Sequence, residues 1–231
     1  MVLFAGGLHI DKDGDLDLAI SNRAAANEIC LNDGEGNFDK IKTFGDAKNQ
    51  TIEIEIVDIN KDGFMDLVTA ERQAKNNIYL NDRKQNFGRV VEFGNEKDET
   101  RSIEIADMDR DGFLDIAVGN LGTKNEIYFG DKALTFSKKF TFPEARQTSS
   151  VAVGDINKDG FLDIAEGNSG EANYVHLGNK DGSYTAVNLG EDQKFDTYNI
   201  RIGDLNNDGL LDMVEANSGA LNLYYITRKN Q

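Results

Sequence analysis

Aspartate, asparagine and glycine alternate in five stretches of this chain at a spacing that could hold a hard cation. Four of them read Asp-x-Asp/Asn-x-Asp-Gly-x-x-Asp: DINKDGFMD (Asp58–Asp66), DMDRDGFLD (Asp107–Asp115), DINKDGFLD (Asp155–Asp163) and DLNNDGLLD (Asp204–Asp212). The fifth, HIDKDGDLD (His9–Asp17), lacks only the first acid. Ca2+ takes roughly six to eight oxygens at about 2.3–2.6 Å. Oxygen-bearing side chains at positions one, three and five can converge as the backbone curls. Glycine at position six permits the bend, residue seven can offer its carbonyl, and the ninth carboxylate closes the far side.

The candidate ligands are Asp58, Asn60, Asp62, Phe64 and Asp66; Asp107, Asp109, Asp111, Phe113 and Asp115; Asp155, Asn157, Asp159, Phe161 and Asp163; and Asp204, Asn206, Asp208, Leu210 and Asp212. The phenylalanines and the leucine would act through their carbonyls. The same residue types build ordinary turns, but a turn alone has no evident use for an acid at the ninth position of every copy. Mg2+ fits less well, since it demands octahedral geometry and keeps its waters. The first copy retains Asp11, Asp13, Asp15 and Asp17. Neutral imidazole is a poor ligand for a hard cation, so the His9 site is expected to be weak or empty unless the Asp15 side chain compensates.

These loops need a scaffold that repeats with them. Their starts, from 9 to 58, 107, 155 and 204, are 49, 49, 48 and 49 residues apart, a period typical of a stacked supersecondary unit. In the second unit, residues 51–57 alternate apolar and polar, residues 67–70 and 77–80 are short β-rich runs, and residues 87–93 form a fourth; polar turns separate them. Each unit therefore reads as four antiparallel strands, A to D. Repeats are expected over about 1–49, 50–98, 99–146, 147–195 and 196–231, in one domain spanning 1–231. Four-stranded units of this size arranged in a ring are β-propeller blades. The expected fold is all-β, a five-bladed propeller whose last blade lacks its outer strand; an incomplete seven-bladed propeller is the alternative. The strand A pairs Ile54 and Ile56, Ile103 and Ile105, Val151 and Val153, and Ile200 and Ile202 read as core between blades. On the other parity, Glu53, Glu55, Glu104 and Arg201 could line an axial channel or form ion pairs such as Glu104 with Arg201.

At this level the chain resembles the FG-GAP/VCBS repeat family, which includes the integrin α-chain propeller and certain fungal lectin propellers. The resemblance covers essentially the whole chain. It implies calcium in the A–B loops, about four or five ions in all, and a role in recognition: lectin-like or adhesive, and secreted, periplasmic or at the cell surface.

Composition agrees. The net charge is −16, from 41 acids and 25 bases. The five loops hold much of the acid, and no basic surface suited to nucleic acid is visible. No apolar run is long enough to span a bilayer. Met1 to Gly7 lacks the pattern of a signal peptide, and the single cysteine, Cys30, excludes an intrachain disulfide. Cys30 and His176 occupy a strand C position held elsewhere by Tyr79, Tyr128 and Tyr225, so packing roles are expected for both. The B–C and D–A loops differ between copies, and variable loops on a regular scaffold commonly carry function. A glycan or protein ligand is therefore expected on the face opposite the metal loops, near Arg72, Arg101, Arg146, Asn120, Asn168 and Asn217. The alternatives are a polysaccharide lyase or hydrolase and a purely structural assembly module, with self-association if the ring is open. Nothing resembles a nucleophile elbow or a histidine-rich metal motif, so no catalytic residues are assigned.

Overall fold

The computed structural model describes residues 9–190 and 194–228. Every regular element among them is a β-strand. The segment expected to form strand A of repeat one lies outside the described residues. That repeat continues as β1 (Leu18–Ile20), β2 (Asn27–Leu31) and β3 (Lys40–Phe44), an antiparallel three-stranded sheet. Repeat two is a complete four-stranded meander: β4 (Thr51–Val57), β5 (Asp66–Glu71), β6 (Asn76–Leu80) and β7 (Arg89–Phe93). Its strands fall close to where alternation and turn residues place them.

Further along, the elements are β8 (Thr100–Ala106), β9 (Asp115–Phe129), β10 (Lys138–Gly154), β11 (Asp163–Glu171), β12 (Tyr174–Gly178), β13 (Tyr184–Asn188), β14 (Phe195–Gly203), β15 (Asp212–Ser218) and β16 (Leu223–Tyr225). Here the structure departs from four separate strands per unit. β9 runs through strands B and C of repeat three without a break, and β10 runs from strand D of repeat three into strand A of repeat four. The reason is visible in the register: the B–C connection pairs with the D–A connection that follows, with Lys124 opposite Ala145 and Leu121 opposite Gln147. Arg23 with Gln50, Arg72 with Glu99, and Ser169 with Asp196 repeat this bridge. Among the described residues β16 pairs with β15 alone.

The chain divides into two compact units, Met1–Ile103 with Gly130–Ser137, and Glu104–Phe129 with Lys138–Gln231. In the first, Ile10, Ile29, Phe44, Ile54, Leu67, Tyr79 and Phe87 form the core, with Ile56 packed against it. In the second, Ile127, Phe142, Val151 and Ile164 form one cluster and Ile156, Ala165, Ile200 and Met213 another. Ile54, Ile103, Val151 and Ile200 are thus core residues, as the strand A pattern predicts. The opposite parity is committed rather than open. Glu53 is buried and accepts the Ile103 amide at 2.7 Å. Arg201 donates to Glu104 at 2.8 Å, the ion pair anticipated from the sequence.

A polar seam recurs where one repeat meets the next. Asn76 caps its own B–C turn by accepting the Glu71 amide at 2.8 Å, and its amide group donates to Thr100 at 3.1 Å. In the same way Asn27 caps Asn22 and donates to Thr51, whose hydroxyl donates to Glu71 at 3.0 Å. In the second unit Asn125 donates to Thr148, which donates to Asn168; Asn173 donates to Thr197, which donates to Asn217. A buried polar group without a partner is costly, and the seam supplies partners between neighbouring repeats. Repeat two departs from the others by placing Glu71 where they have Asn22, Asn120, Asn168 and Asn217. Glu71 has no exposed surface, and burial raises its carboxyl from the ordinary 4.5 to about 7, against the opposing bonds from Thr69, Thr51 and Asn77.

Candidate metal loops

Each A–B loop is a curl held by its own side chains. In repeat two, Asp58 accepts the amides of Asp62 and Gly63 at 2.9 and 2.7 Å, Asn60 accepts Asp62 at 2.8 Å, and Asp62 accepts Phe64 at 3.0 Å. Repeat five repeats the set with Asp204, Asn206 and Asp208. In repeats three and four, Gly112 donates to Asp107 and Gly160 to Asp155; Phe113 donates to Asp111 and Phe161 to Asp159. Two positions take positive φ: the sixth, always glycine (Gly63 at 86°), and the fourth, where Lys12, Lys61, Arg110, Lys158 and Asn207 lie between 58° and 66°.

The ninth aspartate has a role that the sequence did not reveal. Asp17, Asp66, Asp115, Asp163 and Asp212 are all fully buried. One oxygen of Asp163 accepts the Ile156 amide and the other the Gly178 amide, both at 2.8 Å. Asp17 binds Ile10 and Asn32 in the same way, and Asp212 binds Leu205 and Thr227. This acid staples the loop to the end of strand C, so the fold itself has a use for it, contrary to the expectation that only a metal would. Burial raises the carboxyl of Asp163, and that of Asp66 to about 6.

Could the loops accept a cation? Among the described residues five carboxylate oxygens are buried without a hydrogen-bond donor, and three of them belong to these loops: Asp66 Oδ2, Asp107 Oδ1 and Asp155 Oδ1, the others being on Glu166 and Glu215. An anionic oxygen left in this state is unfavourable, and a hard cation would satisfy it. Among the described residues one set of carboxylates converges closely: Asp107, Asp109 and Asp115 bring ligand oxygens within 4.8 Å of one another. With all-oxygen donors and a backbone carbonyl at position seven, the set suits calcium. The first copy differs from the others. His9 Nδ1 lies 2.8 Å from the Asp15 carbonyl, the seventh-position donor of that loop. The Asp15 carboxylate is placed elsewhere. It lies against Gly34 in the C–D turn, where a Cβ would be 2.6 Å away.

Basic residues around the loops were not singled out by the sequence. The fourth-position side chain of one loop covers the seventh-position ring of the next: Lys12 Nζ sits 3.7 Å from the Phe64 centroid, and Arg110 4.9 Å from that of Phe161. Phe64 and Phe161 thus act as platforms for cations as well as carrying the candidate carbonyls. The recurring basic residue at position four was the available signal.

The residues expected on a ligand face are engaged within the fold. Asn120 and Asn168 are buried and Asn217 partly so; all three donate to carbonyls of their own B–C turns, those of Lys124, Ala172 and Leu221. Arg72 pairs with Glu99 at 3.2 Å, and Arg101 pairs with the same carboxylate. Arg146 lies 3.6 Å from buried Glu166 and stacks 3.8 Å over the Tyr174 ring. Short connections that must bridge repeats consume these groups internally. His176 is buried between Phe142, at 4.5 Å, and Tyr174, and Cys30 is buried and free, as packing roles require. A groove of about 450 Å³ in the second unit lies beside the A–B loops of repeats three and four. It is lined by Asp109, Arg110, Phe129, Lys138, Lys180 and Tyr184 among others.

The family model for the FG-GAP-like repeat matches residues 9–69, 58–118 and 107–166. No curated protein sequence matches the chain. Among solved structures, that of Raptor from Chaetomium thermophilum superposes with a TM-score of 0.63 at 10% identity, covering 93% of this chain and 19% of that one. BBS1N in complex with ARL6DN gives TM-scores of 0.59 for crystals soaked with mercury and 0.55 for crystals soaked with lead. The identities are 10% and 11%; coverage is 90% and 96% of this chain, and 60% and 78% of those chains. The likeness is one of fold. This chain spans about a fifth of the Raptor chain.

Proposed function

We propose, for a chain that belongs to the FG-GAP-like repeat family and has a β-propeller-like all-β fold, that it is a calcium-stabilised recognition module for a glycan or protein ligand. The observation that carries the calcium part is the set of buried, donor-less carboxylate oxygens on Asp66, Asp107 and Asp155. Calcium there would be held by the side chains at positions one, three, five and nine and by the carbonyl at position seven. It would supply positive charge to loops that otherwise gather like charges. The ninth aspartate can serve both purposes, since a carboxylate oxygen that accepts an amide keeps a second lone pair. Recognition is favoured over catalysis because the titratable clusters described here are structural: Glu71, Glu126 and Glu166 are each tied into buried polar contacts. The finer architecture in this proposal is a five-bladed ring, in a protein that is secreted or displayed at a surface.

The test is calorimetric. Calcium titrated into chelator-treated protein should bind at up to five sites per chain, with the repeat-one site weakest. Thermal unfolding should shift upward with Ca2+ and by less with Mg2+. A metal that binds only the folded state at a hundredfold excess over Kd contributes about 2.7 kcal/mol per site. No heat of binding and no shift would overturn the calcium reading. A glycan array and a proteome-derived peptide display, both run with calcium, would test the recognition part, which fails if neither yields a ligand that competes specifically.

A further inference from the structure

The loop whose acids converge most closely is also the loop that already holds a cation of its own. Lys138, at the start of β10, places its ammonium 2.8 Å from Asp109 Oδ2, one of the three carboxylates that lie within 4.8 Å of one another. The residues at the corresponding strand D position are Arg89 in repeat two and Ala186 in repeat four; neither forms an ion pair with a loop acid. In repeat two Arg83 approaches Asp62 only at 4.0 Å. The Lys138 side chain is also free to leave. It is 69% exposed, and its Nζ already lies 4.3 Å from the Phe129 ring centroid, an alternative cation–π resting place.

We propose that Lys138 is the built-in counter-ion of the repeat-three loop, which a divalent cation must displace, so that this loop fills last of the four complete ones. The ammonium satisfies part of the charge that calcium would satisfy and occupies the approach to Asp109. Calcium entry therefore gives up a charge-assisted hydrogen bond and would set two positive charges side by side unless the lysine swings away. The inference rests on the calcium reading above.

It is tested by calcium titration of the folded full chain with nuclear magnetic resonance. The amide of the sixth-position glycine reports occupancy of its own loop. In the wild type the Gly112 resonance should reach its midpoint at higher calcium than Gly63, Gly160 and Gly209. Lys138→Met should lower the Gly112 midpoint about tenfold, the scale of one charge-assisted contact to a carboxylate, and leave the other three in place. Lys180→Met is the control, since it removes the same charge from an exposed lysine lining the same groove; it should leave Gly112 unmoved. The proposal is overturned if Lys138→Met does not move Gly112, or if Lys180→Met moves it equally, which would mark a general charge effect. If none of the four glycines responds to calcium, the calcium reading itself falls, and the two failures are thereby told apart.

Discussion

Glu71 offers a sharp test of the seam between repeats. It is the one acid at a position that the other repeats give to asparagine, it has no exposed surface, and burial raises its carboxyl to about 7 from 4.5. Below pH 4.5 it is protonated in both the folded and the unfolded chain and costs nothing. As pH rises, the unfolded chain releases its proton first, so stability falls until the folded carboxyl has also ionised near 7. A shift of about 2.5 units corresponds to roughly 3 kcal/mol at most, less whatever the structure recovers by relaxing. Glu71→Gln keeps the size and an oxygen to accept the Thr51 hydroxyl, and removes the titration. Urea unfolding of both proteins at pH 5 and pH 8, at the same free calcium, reads the effect. The variant should gain about 1–3 kcal/mol on the wild type between the two pH values. Other buried acids such as Asp66 cancel in this comparison. Parallel pH profiles for the two proteins would refute the claim that Glu71 is held protonated in the seam.

Three further outcomes are expected. Asp163→Asn should lower the melting temperature even in excess chelator, because the Ile156 and Gly178 amides both depend on that carboxylate; a loss seen only with calcium would contradict the staple. Gly178→Ala would put a Cβ 2.4 Å from the Leu162 carbonyl oxygen, and should cost about 3 kcal/mol or more by chemical denaturation; a near-neutral effect would show that strand C can shift. Asn173→Ala leaves the Asn168 amide and the Thr197 hydroxyl each short of a partner and should cost about 1–3 kcal/mol, whereas Asn179→Ala in an exposed turn should cost far less.

Much of the fold was legible because its signals are local. Alternation in Thr51–Val57 marks β4 and the pairing of Ile54 with the core, and the Asp-Gly curls mark the A–B loops. What the sequence hid are relations between different positions in neighbouring repeats. Asn76 meets Thr100 across 24 residues, and aligning the copies on one another sets Asn beside Asn and Thr beside Thr, so the pair never appears. The same blindness made Asn120 and Asn168 look like variable surface, and left Lys138 as one lysine among many. The ninth aspartate was read correctly as meaningful, but one of its two amide partners lies 15 residues away at the end of strand C, beyond the loop that defines the motif.

The seam also decides how this chain can be cut and pasted. Asparagine at the head of strand C needs a threonine contributed from the start of the following copy, so a segment that begins just after one such asparagine and ends at the next, such as 28–76, carries half of two fasteners and the whole of none. A transplant that begins just after one such threonine and ends just after the next, such as 52–100, would export one capped asparagine together with its own acceptor and leave the host short of none. Chimaeras joined in that phase should exchange freely among homologous arrays, and those joined between an asparagine and its threonine should fray at both junctions.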